Sequence, residues 1–334
     1  MDMGLAEGVV VAEVVRGEIV ESVHHGAIVI TAPDGTVEWA AGPVDEPMFP
    51  RSAIKPAQAL AMLRRGLPLD GELLALAAAS HSGEAYHVAG VRQILAMAGL
   101  SARTLGNPPA YPQQNAARDE RARQGKPMAR VTHGCSGKHA AMLLTCVLNG
   151  WPVDSYLEPD HPLQQAVVGT VADIASESVD EVAVDGCGTP LPAISLAALA
   201  RSFGRFASAP PAALEGRITA ACRKFPHYLS GSRRITARLM RATPGLLCKN
   251  GAEGVLAAGL ADGCGIAVKI SDGASRARPV ALAAALRRLG VDNEEISAIA
   301  RPVVLGGSRP AGFIRPGPAL VSGRPPKGAP REHG

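Results

Sequence analysis

Hydrophobic periodicity predicts an α/β (α+β) fold in which the two ends of the chain share one antiparallel sheet and the middle forms a large helical insert. Three observations predict it. Residues 9–15, 19–22, 27–31 and 37–40 are apolar or alternating at strand length, with the turn signal Pro33-Asp34-Gly35 before the last of them. After Phe49-Pro50, alanine and leucine recur at helical spacing over 55–65, 73–79 and 85–98, then over 138–148, 163–175, 194–203, 211–224 and 232–241. Short apolar runs between glycine-rich turns return at 246–249, 254–258 and 265–270, followed by helical patterns at 278–289 and 294–299.

Between these elements, 105–130 is rich in Pro, Gln, Asn, Arg and Gly and reads as a long loop. From about 315 the chain turns to Pro, Gly and Arg and is expected to be a flexible tail. No internal repeat and no low-complexity linker cuts the sequence, so one continuous α/β domain over 1–334, with room for an all-helical lobe, is expected.

Composition narrows the function classes. With 47% hydrophobic and 19% charged residues among 334, the chain can build a sizeable core. The formal charge of +4 is small and only 3% of residues are aromatic, so neither a basic face nor stacking platforms favour nucleic acid as a partner. The first 16 residues hold Asp2, Glu7 and Glu13 and lack the basic-then-apolar order of a signal peptide. No apolar run approaches the roughly 20 residues that cross a bilayer. A cytoplasmic protein with no membrane partner is expected. The six cysteines, at 135, 146, 187, 222, 248 and 264, are then expected to be reduced, with metal or catalytic use as the exception.

The most informative local string is Arg51-Ser52-Ala53-Ile54-Lys55, a serine followed three residues later by lysine where sheet gives way to helix. Residues three apart share a helix face, so the Lys55 amine can reach the Ser52 hydroxyl and act as its base. Arginine could not, because guanidinium does not deprotonate in proteins. The chain has seven lysines against 27 arginines, so positive charge alone is normally written as arginine. The competing reading is plain: a lysine in a first helical turn is ordinary.

Three further clusters carry donors. Ala79-Ser80-His81-Ser82-Gly83-Glu84 joins two helices, and Ser82 before Gly-Glu is suited to capping; a second serine is also what a serine-lysine enzyme needs to relay a proton. Lys249-Asn250-Gly251 places a lysine at a strand end before a glycine turn. The order Ser52-x-x-Lys55, Ser80, Lys249-Asn250-Gly251 matches the Ser-x-x-Lys, serine and Lys-Thr-Gly order of penicillin-recognising enzymes, with Asn250 in place of the hydroxyl residue. Finally, His133-Gly134-Cys135-Ser136-Gly137-Lys138-His139 and Asp185-Gly186-Cys187-Gly188-Thr189-Pro190 each offer one thiol beside further donors. Thiolate and imidazole suit zinc, though this is not the paired-cysteine spacing of a structural zinc site and inert buried thiols compete with it.

Together with Phe49-Pro50 and Ala252-Glu253-Gly254, these strings resemble the asparaginase II family, the serine-dependent asparaginases of rhizobial type, over about residues 9 to 310. The resemblance implies a serine β-lactamase/glutaminase-like fold and hydrolysis of L-asparagine to L-aspartate and ammonia by a homodimer. By motif match it implies catalytic pairs Ser52 with Lys55 and Ser80 with Lys249. It implies Arg51 and Asp185 as holders of the zwitterionic substrate with His139 close by, and Cys135, Lys138 and Cys187 as positions that can hold zinc. Lys269 is an alternative partner for Ser80, and Ser82 an alternative to Ser80; the glycine two residues after Lys249 favours Lys249.

Other functions fit the same residues. A glutaminase or another small-amide serine amidohydrolase differs by little, since one methylene is worth about 1 to 3 kcal/mol of discrimination. A zinc-holding binding protein would bind without turnover. A zinc hydrolase would keep its activity without Ser52 and lose it to chelation.

Overall fold

In the computed structural model, residues 8–321 are described. The expected tail therefore lies outside the described residues from 322 onward, and so do the first seven residues of the N-terminal segment. The chain divides into two compact units, Met1–Ala53 with Ile194–Ala207 and Ala242–Gly334, and Ile54–Ala193 with Ser208–Arg241.

The first unit is a mixed α/β structure around an antiparallel sheet. Its strands are β1 (Val9–Arg16), β2 (Ile19–Thr31), β3 (Val37–Ala41), β8 (Leu247–Asn250), β9 (Val255–Gly259), β10 (Gly265–Ile270), β11 (Val303–Gly306) and β12 (Arg309–Pro316). They pair in the order β11-β12-β1-β2-β10-β9-β8, with β3 also on β2. Both chain ends thus meet in one sheet: Val14 faces Ile314 across β1 and β12, and Ile28 faces Val268 across β2 and β10. A two-residue pair, β4 (Pro47–Met48) with β7 (Ile194–Ser195), leads into α7 (Leu196–Ser208); α11 (Arg278–Arg288), α12 (Glu294–Ala300) and α13 (Pro318–Val321) complete the unit.

Glycines let α7 lie directly on this sheet. A Cβ at Gly259 would stand 2.1 Å from the Phe203 carbonyl oxygen, and one at Gly265 1.9 Å from that of Ala200. On the other strands β2 runs unbroken through His24-His25-Gly26, where the sequence reads as two strands. Gly26 permits this because its missing Cβ would meet the Lys269 carbonyl oxygen at 2.2 Å. β11 and β12 occupy a stretch where Pro310, Gly306, Gly307 and Gly312 hide strand character.

The second unit is helical. It holds α1 (Lys55–Arg64), α2 (Gly71–Ala77), α3 (Ala85–Met97), α4 (Asn115–Arg123), α5 (Ser136–Leu148), α6 (Pro162–Ala175), α8 (Leu214–Lys224), α9 (Pro226–Leu229) and α10 (Ile235–Ala242), with the hairpin β5 (Val182–Val184) and β6 (Pro190–Pro192). The buried α2 is the centre: α3, α5, α8 and α9 all pack on it. Gly137 brings α5 down onto it, since a Cβ there would lie 2.5 Å from the Leu76 carbonyl oxygen. Full burial of leucines such as Leu74 and Leu76 contributes about 1.5 to 3 kcal/mol each.

Two expectations are corrected here. The stretch 105–130 contains α4, a helix with no buried residue, so it has no apolar periodicity to read; the Gln114 side chain accepts from the Ala117 N–H, and Arg123 pairs with Glu120 at 2.5 Å. The cap of α3 is Glu84 rather than Ser82, whose hydroxyl instead donates to Glu84 Oε1 at 2.8 Å.

The same helix start holds a buried, neutral histidine. His87 Nδ1 accepts from the Glu84 N–H at 3.1 Å and Nε2 donates to the His227 carbonyl at 2.9 Å. Burial pushes its pKa down to about 4. The unfolded chain therefore binds this proton at higher pH than the folded one: the stabilisation is complete above about pH 6.5 and is lost as pH falls toward 4, about 3 kcal/mol in all. Urea unfolding at pH 7.5 and 4.5 should show the loss, and His87→Gln, which keeps one acceptor and one donor, should show a smaller one.

Candidate active site

Pro50 ends the extended entry to the site, Arg51 takes a positive φ of 51°, and the short 3-10 helix Arg51–Ile54 leads into α1. Pro56 sits in the first turn of α1, where its missing N–H costs nothing. This places Ser52, half-buried, three residues before Lys55 at a helix start.

In the second unit Lys55 is 1% exposed. Its amine donates to the Ala79 carbonyl at 2.6 Å, to Ser80 Oγ at 3.0 Å and to Cys135 Sγ at 3.3 Å. The loop between α2 and α3 that carries Ser80 is held by backbone bonds from Ser80 to Leu229 and from His81 to Gly134. His81 locks the same loop to α5: its ring contacts Ser136 Oγ at 2.9 Å, and Ser136 in turn donates to the Val131 carbonyl. Nothing local in the sequence relates Lys55 to Ser80, since the two stand 25 positions apart.

Cys135, at the start of α5, and Cys187, in the turn of the β5–β6 hairpin, come together around Lys138. Lys138 Nζ lies 3.2 Å from Cys187 Sγ and donates to Thr189 Oγ1 at 2.8 Å. The hydrogen bond from Cys135 pulls the Cys187 thiol well below the ordinary range, with Lys138 and His139 adding to it, and that same bond with burial raises Cys135. Burial works against the charge on Lys138, but Cys187, Cys135 and Asp185 outweigh it and raise its pKa. Asp185 Oδ2 stands 3.5 Å from Cys187 Sγ. His139 Nδ1 is 2.6 Å from the Tyr156 hydroxyl, and burial lowers the ring to about 4 against the hydrogen bond with Cys187. Tyr156 and Thr189 were missed as members of this cluster. Thr189 at least stood inside the Asp185 string, whereas Tyr156 carried no local signal.

Among the described residues no three His, Cys, Asp or Glu side chains converge as metal ligands. Two sulfurs and the His139 imidazole are nitrogen and sulfur donors of the kind zinc takes, and Lys138 would join them only as the neutral amine, which requires loss of the proton its neighbours hold on it. Among the described residues the other four cysteines are buried and form no disulfide, and burial pushes Cys146, Cys248 and Cys264 up to about 12.

In the first unit Lys249 and Lys269 occupy one face of the sheet. Lys249 pairs with Ala257, Ala257 with Ala267, and Lys269 lies two residues beyond Ala267, so all share the face that carries Gly259, Gly265 and α7. Lys249 is fully buried and donates to the Asn250 carbonyl at 2.9 Å; Lys269 donates to the Ile270 carbonyl at 2.5 Å. Burial lowers the pKa of Lys269 against the pull of Glu253 and Asp272. The turn after Lys249 reaches the segment before Ser52: a Cβ at Gly251 would stand 2.6 Å from the Pro50 carbonyl oxygen, and Arg51 lies 3.7 Å from Glu253.

Comparison with known proteins agrees with the strings that carry this geometry. None of the curated proteins compared matches the chain significantly. Among solved structures, a β-lactamase from Mycobacterium bovis is similar at 14% identity and a TM-score of 0.47, covering 80% of this chain and 95% of its own. A structure described as Mglu is similar at 17% identity and a TM-score of 0.34, covering 79% of this chain and 66% of its own. Among the described residues no helix is long and apolar enough to cross a membrane. The sequence model of the L-asparaginase II family matches residues 12–316, and the chain belongs to that family of asparaginase-type amidohydrolases.

Proposed function

We propose that the protein hydrolyses L-asparagine to L-aspartate and ammonia through an acyl-enzyme on Ser52. The observation that supports this reading is the buried Lys55 amine, three residues after Ser52 at a helix start and hydrogen-bonded to Ser80. Ser52 Oγ attacks the carboxamide carbon as Lys55 accepts its proton. Backbone amides at the helix start stabilise the tetrahedral oxyanion. Ser80 and Lys249 return a proton to the departing ammonia, and water then releases aspartate. Arg51 and Asp185 are assigned to the charged ends of the substrate, with His139 nearby. A homodimer and a cytoplasmic setting belong to the same reading.

Cys135, Lys138 and Cys187 would hold zinc. When bound it would supply positive charge beside the substrate-holding groups. The chain's own residues carry the chemistry.

Ammonia release from L-asparagine and L-glutamine, with and without added zinc, tests the proposal. Preferential turnover of asparagine is the expected result. Preference for glutamine would move the reading to a glutaminase, and stoichiometric amino-acid binding without ammonia would make the chain a binding protein.

A further inference from the structure

Inside the second unit a run of contacts joins two amines through two thiols. Lys55 Nζ donates to Cys135 Sγ at 3.3 Å, Cys135 donates to Cys187 Sγ, and Lys138 Nζ stands 3.2 Å from Cys187 Sγ. Neither sulfur is in a disulfide. One thiol comes from the start of α5 and the other from the β5–β6 turn, so the fold brings them together across sequence.

Packing alone does not ask for this. An inert buried cysteine behaves as a small apolar side chain. Here each sulfur has a lysine amine on it and the other sulfur beside it. Cys187 also meets the His139 ring and lies 3.3 Å from Thr189 Oγ1. Donors gathered on one sulfur, with a second cysteine in contact, are the surroundings of a thiol that takes up an oxidant and is then resolved by its neighbour. Cys135 is 9% exposed and Cys187 2%, a narrow approach that suits an oxidant little larger than water.

The backbone allows the two sulfurs to close from contact to a bond of about 2.0 Å. Cys187 lies between Gly186 and Gly188, in a turn held by the Gly188 N–H on the Asp185 carbonyl at 2.8 Å. Gly188 has a φ of 89°, which glycine adopts without strain. The Cys187 side can therefore adjust while Cys135 stays fixed on its helix.

We propose that Cys135 and Cys187 are a redox pair, joined into a disulfide by hydrogen peroxide and reopened by a thiol reductant. Cys187 Sγ attacks one peroxide oxygen, the O–O bond breaks, and a sulfenic acid forms as the first water leaves. Cys135 Sγ then attacks Cys187 Sγ, the S–O bond breaks, and the oxygen departs as a second water. Two thiols thus give two electrons and two protons to the peroxide. Exchange with two external thiols reverses the step and leaves those thiols as the disulfide. The joined sulfurs offer no thiolate to a metal, so disulfide and bound zinc exclude each other, and Lys55 loses its thiol partner. None of this depends on the asparaginase reading.

The test uses the full chain, reduced, freed of reductant, treated with hydrogen peroxide and then denatured in an alkylating agent for mass spectrometry. The expected product has lost two hydrogens, protects two of its six thiols from alkylation, and yields one linked peptide pair holding Cys135 and Cys187. Dithiothreitol should return all six thiols. Cys146, Cys222, Cys248 and Cys264 serve as controls within the same molecule and should stay open to alkylation. Cys135→Ser should abolish the link and let Cys187 advance to the sulfinic acid, since no thiol resolves it. Six alkylated thiols after treatment, a link between any other pair, or oxygen kept on Cys187 of the parent, as a sulfinic acid or as a bridge to Lys138, would overturn the inference. Each of these is read on the parent, so the result stands whether or not the serine variant folds.

Discussion

Ser52→Ala should lower kcat for asparagine by about ten-thousand-fold or more while leaving the folded protein intact. The reason is chemical rather than structural. Ser52 is only half-buried, in a 3-10 helix whose shape is set by Pro50, by the positive φ of Arg51 and by the Ala53 N–H bonded to the Pro50 carbonyl. Removing one oxygen there disturbs no packed core. If Ser52 is the nucleophile, no neighbouring group replaces it, and only residual stabilisation by binding and the oxyanion donors survives. Steady-state ammonia release beside a thermal melt separates the two effects. An alanine variant as active as its parent would mean that the nucleophile lies elsewhere, and loss on chelation would then point to the Cys135, Lys138 and Cys187 cluster.

Lys55→Met should be about as damaging to kcat, at least about a thousandfold, and should in addition destabilise the protein. Methionine matches the length of the lysine stem but offers no donor, so the Ala79 carbonyl and Ser80 Oγ each lose a bond from a 1% exposed amine. Leaving a buried acceptor unsatisfied costs about 1 to 3 kcal/mol. Lys55→Arg is the sharper control. Guanidinium restores charge and donors but cannot take a proton, so activity should stay lost. Full activity in Lys55→Arg would show that Lys55 acts by charge and position alone and would remove it as the base. Urea unfolding of both variants supplies the stability measurement.

These expectations rest on an arrangement that local sequence conveyed unevenly. The order of strands, helical insert and strands was legible because periods of 2 and 3.6 are properties of short segments. Elements were missed where that signal is absent: α4 is polar on every side, β6 is built from Pro190-Leu191-Pro192, and β12 hides among Pro310, Gly312 and Pro316. The site was legible as strings around Ser52, Ser80, Cys135, Cys187 and Lys249, since unusual runs of glycine, hydroxyl, thiol and amine are themselves local. Partnership was not. Lys55 reaches Ser80 and Cys135, 25 and 80 positions away, and His139 finds Tyr156 across a helix and a loop.

The amino-acid sequence by itself determined the family, the sheet-insert-sheet order and the residue types at the site, because each is written in short contiguous segments. Only the tertiary structure decided which donors meet which acceptors. It carried Lys138 to Cys187 and Thr189, put Lys249 and Lys269 on one sheet face by strand register, and set Arg51 beside Glu253. The physical reason is range: backbone preference acts over a few residues, whereas a hydrogen bond or ion pair joins any two groups that packing brings within about 4 Å.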